Sequence, residues 1–379
     1  VDPKQRITEK ARELGFEAVA FARADLPLED DYARYEAFLA GGMHGSMDWL
    51  ASNREARRRV DTDHVLAGAK TVICLAQPYA RGVDDEANDP PVASAIARYA
   101  RGRDYHNWLR RRLRRLATFV RALGTAEAPV EARPLCDQEP VLERAWAARA
   151  GLGFVGKNGL LIVPGVGSLV LLGEVVTTLE VEPDSPIPER CGACTRCLDA
   201  CPTGAFARPF VLDARLCIAY LTIENRGPIP TELRPAVGAR LFGCDECQTV
   251  CPFNARARTP LLPHRPVDPR FLPEPRWGEL DMAALLSLDE AGFAALREGS
   301  PVGRARLEGL ARNAAVVMGN ARDERHRSAL VRAKEGHPSE IVREAATWAL
   351  AQLDEVTDSR PRRSCSSSPA PCTCSSCRT

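Results

Sequence analysis

The stretch CGACTRCLDACPTGA, residues 191–205, carries Cys191, Cys194, Cys197 and Cys201, the last followed by Pro202. This is the spacing of bacterial two-cluster ferredoxins, in which three cysteines hold one four-iron cube and the fourth ligates the other. Two-residue gaps let successive thiolates wrap a compact cube, and the proline turns the fourth thiolate toward its neighbour. A second run, CDECQTVCPFN (244–254), adds Cys244, Cys247 and Cys251 and a second Cys-Pro. The runs supply seven of the eight ligands that two cubes need. Cys217, in DARLCIAYLTIE (213–224), is the simplest eighth. Crossed ligation then assigns Cys191, Cys194, Cys197 and Cys251 to one cluster and Cys201, Cys217, Cys244 and Cys247 to the other. Structural zinc also uses C-x-x-C pairs, but it needs no three-cysteine run closed by x-x-x-Cys-Pro.

The 379 residues around this centre leave room for two or three domains. No apolar run approaches the ~18 residues of a membrane span. The opening VDPKQRITEKARELGF (1–16) reads as a charged amphipathic helix rather than a signal peptide. Fourteen cysteines in such a chain point to ligation in a reducing compartment, not to disulfides. A net charge of +1 gives no global attraction for nucleic acid, so any such contact rests on a local patch. Cys74, inside the apolar TVICLAQPY (71–79), reads as a core thiol, whereas Cys136 beside an acid stays open between core and site.

Residues 1–181 alternate helical and strand patterns, predicting an α+β domain. TVICLAQPY is one strand, and LLIVP with SLVLLGEVVTTLE (160–180) reads as a strand pair around a Pro-Gly-Val-Gly turn. EPDSPIPER (182–190) reads as a linker into a cluster domain over 182–260. Prolines 260, 263, 266, 269, 273 and 275 predict a second extended linker, assigned to 261–295. Beyond it, LARNAAVVMG (310–319) aligns with IVREAATWAL (341–350) at an offset of 31, matching Arg312 to Arg343 and Ala314-Ala315 to Ala345-Ala346. Alanines on one face allow close helix packing, which predicts a HEAT-like module over 296–356. The Ser- and Pro-rich segment 357–379 reads as a disordered tail, and its Cys365, Cys372, Cys374 and Cys377 receive no metal assignment.

Two clusters alone make a ferredoxin, which does not need so large a domain ahead of it. The clusters are therefore expected to feed a redox site in the N-terminal domain. In GLGFVGKNG (151–159), Gly151, Gly153 and Gly156 match G-x-G-x-x-G, but a helical run precedes them and strands follow. A dinucleotide site requires the reverse order.

CDQEPVLERAWAARAGLGFVGKNGLLI (136–162), the cysteine spacing, DARLCIAYLTIE, IARYARGRDYH (96–106) and the C-terminal repeat together resemble the epoxyqueuosine reductase family, from about residue 5 to 355. The resemblance implies a bacterial cytoplasmic enzyme with a nitroreductase-like cobalamin-binding domain, a ferredoxin-like domain with two 4Fe–4S clusters and a helical module. It implies reduction of the epoxide of epoxyqueuosine at the wobble position of tRNA, giving queuosine. It also implies base-off cobalamin, an external electron donor such as a flavodoxin or ferredoxin, and a monomer with no membrane partner. The alternatives are a reductive dehalogenase-like enzyme acting on a small halogenated substrate and a non-catalytic electron carrier. The first is typically exported on a twin-arginine signal, and the second does not need the N-terminal domain.

Carried over residue by residue, the family's proton donor falls on Asp137, here within Cys136-Asp137-Gln138 where relatives commonly have Val-Asp-Thr. The implied cofactor contacts are Arg58 after M-D-W-L, Tyr99 and His106 in R-Y-A-R-G-R-D-Y-H, Asp137, and Gly156, Lys157 and Asn158 in G-K-N. No D-x-H-x-x-G motif occurs, so no histidine is expected as a lower cobalt ligand. For tRNA, YHNWLRRRLRRLATFVRALG (105–124) sets Leu109, Leu113, Leu116, Val120 and Leu123 in one apolar stripe and sends its arginines largely elsewhere. Between Ile96 and Arg121 nine arginines face one acid, Asp104. Arg111, Arg112 and Arg115 are the expected phosphate contacts, since guanidinium groups hold phosphates without reading bases.

Overall fold

The computed structural model describes residues 2–80, 89–256 and 268–358. At its centre is an antiparallel sheet of β1 (Ala18–Arg23), β2 (Thr71–Pro78), β3 (Ala132–Leu135) and β4 (Val170–Thr177), in the order β1-β2-β4-β3. The apolar run of β2 suits a strand covered on both faces, because successive side chains point to opposite sides. Ile73 and Leu75 meet helices α1 (Pro3–Glu13) and α2 (Tyr105–Arg121) through Ile7, Leu109, Leu113 and Leu116. Val72, Cys74 and Ala76 meet α3 (Glu143–Arg149) through Trp146 and Ala147. The mixed α and β class is as expected, and Cys74 is a fully buried core thiol. Gly173 lets α2 approach the sheet, since a Cβ there would lie 2.8 Å from the Leu113 side chain.

The pairing of the LLIVP segment differs from expectation. Leu161–Ile162 pairs with Phe154–Val155 rather than with β4, and only a Val163–Gly167 bridge closes the following turn. Both edges of β4 are already taken, by β2 and β3. Residues 182–190 form no helix or strand, yet they are anchored. Asp184 holds Lys4 at 2.6 Å and accepts from the Phe21 N–H at 3.0 Å.

The expected linker over 261–295 is, from residue 268 onward, packed structure. Phe271 stacks edge-on against Trp108, and Trp277 is buried with its indole N–H donating to the Arg101 carbonyl at 2.6 Å. Helices Met282–Leu286 and Glu290–Arg297 follow. Prolines prevent long helices here, but the large apolar side chains still leave water. Residues 257–267 and the tail cysteines lie outside the described residues.

The C-terminal helices are α4 (Arg306–Ala321), α5 (Arg327–Gly336) and α6 (Glu340–Asp358). Ala314, Ala315, Ala345, Ala346 and Ala349 are buried, and a Cβ on Gly319 would meet the Ala349 Cα at 2.8 Å. Small residues thus set the spacing of α4 and α6. Separate domains do not describe the core here: Val92 and Ile96 share one apolar cluster with Leu221, Phe242, Leu310 and Leu350. Arg312 is buried and donates to the carbonyls of Leu221, Asn225 and Gly227, locking α4 to the cysteine-bearing segment. Its counterpart in the repeat, Arg343, instead donates to His337 and Pro338 on its own module. Among the described residues no helix is long and apolar enough to cross a membrane.

Candidate active site

Asp137 lies in the loop between β3 and α3, with φ +59 in the left-handed region. Aspartate tolerates this conformation better than most non-glycine residues. Two glutamates pin the loop: the Cys136 N–H donates to Glu139 at 2.8 Å and the Asp137 N–H to Glu143 at 2.8 Å. The side chain, half exposed, accepts from the Tyr105 hydroxyl at 3.1 Å and lies 2.8 Å from His106 Nε2. The other imidazole nitrogen, Nδ1, is 2.6 Å from Asp104, which also caps α2 by accepting from the His106 N–H. Tyr99 meets Tyr105 edge-on at 6.2 Å, completing the cluster.

The electrostatics follow from this geometry. The His106 hydrogen bond holds the Asp137 carboxyl below its ordinary value, with the charges of His106 and Arg304 adding to the effect. Burial works against a charged His106, but the two carboxylates outweigh it and raise the ring to about 9. Burial raises the Tyr99 and Tyr105 phenols. It also raises Glu143 to about 7. Arg304 approaches Asp137 and Tyr99 from the C-terminal side, paired with Glu224 at 2.8 Å and placed over the exposed Trp49 ring. Sequence reasoning missed Asp104, Tyr105 and Arg304. The helix-capping Asp104-Tyr105-His106 pattern signals the first two, whereas nothing local signals Arg304.

Other expected cofactor residues are engaged elsewhere. Arg58 binds Glu29 through two hydrogen bonds, at 3.1 and 2.6 Å. Lys157 donates to the Gly192 and Cys194 carbonyls at 2.5 and 3.0 Å, and Asn158 points to the Cys247 carbonyl at 3.4 Å. A Cβ on Gly156 would sit 2.6 Å from Ile162, so its missing side chain makes room for the hairpin itself. The G-K-N turn therefore braces the cysteine loops. Cys136 is buried beside the acid, and burial raises its thiol.

All eight candidate ligands are free thiols. Cys197 interacts electrostatically with Cys194 and Cys251, and Cys191 with Cys197. Cys217 interacts with Cys201, and both Cys244 and Cys247 with Cys217, while Cys247 also senses Cys197 of the first set. The two expected quartets are thus adjacent neighbourhoods. Backbone N–H groups point at several sulfurs, including Ala205 N–H to Cys201 Sγ at 3.3 Å. Burial nevertheless raises Cys191 and Cys244 to about 11, so thiolates here require bound cations to offset their charge. Among the described residues no three side chains converge on a single ion.

On α2, Leu109, Leu113, Leu116 and Val120 are buried, with Leu123 packed against the same core. A groove of about 740 Å³ on the outer side is lined by Lys10, Arg110, Arg111, Arg114, Arg115 and Phe119, among others. Among the described residues none of those four arginines forms an ion pair. Arg112 is turned away: it donates to the Leu14 carbonyl at 2.7 Å and stacks on Trp108 at 3.7 Å.

Comparison with known proteins agrees with this architecture. A family described as a 4Fe–4S double cluster binding domain matches residues 190–254, and one described as epoxyqueuosine reductase QueG, DUF1730, matches residues 59–138. The epoxyqueuosine reductase of Xanthomonas campestris is 41% identical over 357 residues, covering 93% of this chain and 96% of that protein. A crystal structure of selenomethionine-labelled epoxyqueuosine reductase superposes with a TM-score of 0.82 at 28% identity, over 94% of this chain and 93% of that one. Another, of epoxyqueuosine reductase with an epoxyqueuosine-modified tRNA-Tyr stem loop, gives 0.81 at 29% identity, over 92% and 90%. The double-cluster segment, and 41% identity over 93% of its length to a reductase of this kind, place the chain in the epoxyqueuosine reductase family of oxidoreductases.

Proposed function

We propose that this chain reduces the epoxide of epoxyqueuosine at the wobble position of tRNA, using cobalamin fed by two 4Fe–4S clusters and Asp137 as proton donor. The observation that carries the reading is Asp137 itself: its backbone is held in the left-handed region and its half-exposed carboxylate is tethered to His106 and Tyr105. An acid that protonates a departing oxygen needs this combination of fixed position and access.

The residues present fit a base-off corrin. Both nitrogens of His106 are occupied by carboxylates, so this histidine is not free to act as an axial ligand. Tyr99, Tyr105, His106 and Asp137 would line the corrin site. Arg58, Gly156, Lys157 and Asn158, given their contacts, serve the fold and the cysteine loops instead. Bound there, cobalamin supplies low-valent cobalt chemistry toward the strained epoxide. Asp137 would deliver a proton to the leaving oxygen, with Tyr105 and Tyr99 beside it. The eight thiols would hold the two cubes in the crossed arrangement, and a small external carrier would supply their electrons. We read the sheet domain as nitroreductase-like and α4–α6 as HEAT-like, with Arg111 and Arg115 holding tRNA phosphates.

The test is anaerobic protein reconstituted with iron, sulfide and cobalamin, a chemical reductant, and tRNA bearing epoxyqueuosine. The reading expects a corrin spectrum that changes on binding and conversion of the modified nucleoside to queuosine. Absence of corrin binding, or of conversion by protein carrying both cubes, overturns it.

A further inference from the structure

Asp104, His106 and Asp137 form one continuous hydrogen-bonded line. Asp104 Oδ1 is 2.6 Å from His106 Nδ1, and His106 Nε2 is 2.8 Å from Asp137 Oδ2. Asp104 is fixed by capping α2, Asp137 by the Glu143 contact to its N–H, and the imidazole by stacking on Tyr105 at 4.1 Å. Each member thus has its own restraint. The remaining charged or titratable groups nearby are Tyr105 on the ring face, Tyr99 behind it, Arg110 one turn along α2, Cys136 and Glu143 beside Asp137, and Arg304 from the C-terminal module.

We propose that His106 is the resting store of the proton that Asp137 delivers, with Asp104 fixing the ring through its Nδ1–H. This deepens the reading of Asp137 as donor and rests on it. His106 acts through Asp137 and is therefore a positioning residue. The charge distribution supports the assignment: Asp137 is held below its ordinary value and His106 above it, so at neutral pH the shared proton resides on the imidazole.

The balance is simple. Removing an epoxide oxygen as water breaks two C–O bonds, forms a carbon–carbon double bond, and consumes two electrons and two protons. The electrons come from a one-electron donor through the clusters. Each proton moves from His106 Nε2 to Asp137 Oδ2 and on to the oxygen. His106 Nε2 then refills with a solvent proton taken up at Asp137, whose side chain is 52% exposed, while Nδ1 keeps its proton toward Asp104 throughout.

The direct test is NMR titration of the histidine rings in cluster-loaded, cobalamin-free protein, with His106 assigned by His106→Gln. The proposal expects a midpoint near 9, lowered in both Asp104→Asn and Asp137→Asn. In the fully loaded enzyme, His106→Gln should slow single-turnover reduction at neutral pH by at least about a hundredfold, the low end for a missing proton-transfer partner. The alkaline fall of its pH–rate profile should move to lower pH, and Asp104→Asn should show a smaller shift in the same direction. A His106 midpoint below 7, or wild-type rate and pH profile in His106→Gln, overturns the proposal. If His106→Gln loses its clusters, the midpoint and the Asp104→Asn profile decide. Normal turnover in Asp137→Asn would instead remove the donor reading, which the His106 midpoint does not test.

Discussion

Glu174 stands opposite Leu135 across the β3–β4 pair, and both of its carboxylate oxygens are buried without a hydrogen-bond partner among the described residues. On its other side it faces Cys74 in β2. An unpaired carboxylate in such a site is costly, so the group keeps its proton. Burial indeed raises Glu174 well above its ordinary value, and Glu143 adds to the effect.

A stability prediction follows, with a definite sign. The folded chain holds a proton at Glu174 that the unfolded chain releases above about pH 4.3, so stability falls as pH rises past that point. The slope is at most about 1.4 kcal/mol per pH unit for one group. Glu174→Gln removes the ionisation. In denaturant unfolding of cluster-loaded protein, the variant should gain on wild type steadily from pH 5 to pH 8. Parallel curves would mean that Glu174 is solvated or paired in solution.

For the acid, Asp137→Asn should lower turnover by roughly 10²–10⁴, the usual range for one general acid. Asparagine keeps the shape and the left-handed backbone, so cluster content and tRNA affinity should hold. Rapid-quench kinetics alongside a binding assay separates the two. Near-normal turnover across pH would assign protonation to water or another group.

Cys217→Ser tests the crossed ligation. Cys217 interacts with Cys201, Cys244 and Cys247. Iron content should drop from about eight toward about four per chain, with one cube's spectroscopic signal retained. Full iron and both signals in the variant would show that another residue supplies the eighth ligand.

The arginine helix makes a split prediction. Arg111→Gln with Arg115→Gln should weaken tRNA binding and flatten its salt dependence, by up to ~0.7–0.9 in log–log slope for each phosphate that the variant no longer neutralises. Arg112→Gln should leave that slope unchanged. It should instead reduce stability by about 1–2 kcal/mol, because it removes the Leu14 hydrogen bond and the Trp108 stack. Unchanged affinity and salt slope in the double variant would leave the groove a solvated face.

Much of this molecule was legible before any fold was drawn. The cysteine runs, the apolar stripe of α2 and the strand TVICLAQPY depend on spacing within one segment, and covalent geometry translates that spacing directly into shape. Thiolates three residues apart can share a cube; leucines three and four apart share a helix face. Family resemblance added Asp137, whose turn before Pro140 would otherwise read as an ordinary surface loop.

The rest depended on partners distant in sequence. His106 entered as an implied cofactor contact, and only the approach of the β3–α3 loop sets its second nitrogen against Asp137. Lys157 and Asn158 carried a recognisable motif, but the fold commits their side chains to carbonyls of the cysteine loops. Prolines made 268–280 look like a linker, yet Phe271 and Trp277 found buried positions that no local pattern announces. Arg312 and Arg343 align in the repeat and still bind different partners. Sequence by itself determined which local elements and ligand sets form, because those follow from short-range spacing. Tertiary structure decided which charges meet, because desolvation and hydrogen bonding depend on what the rest of the chain brings alongside.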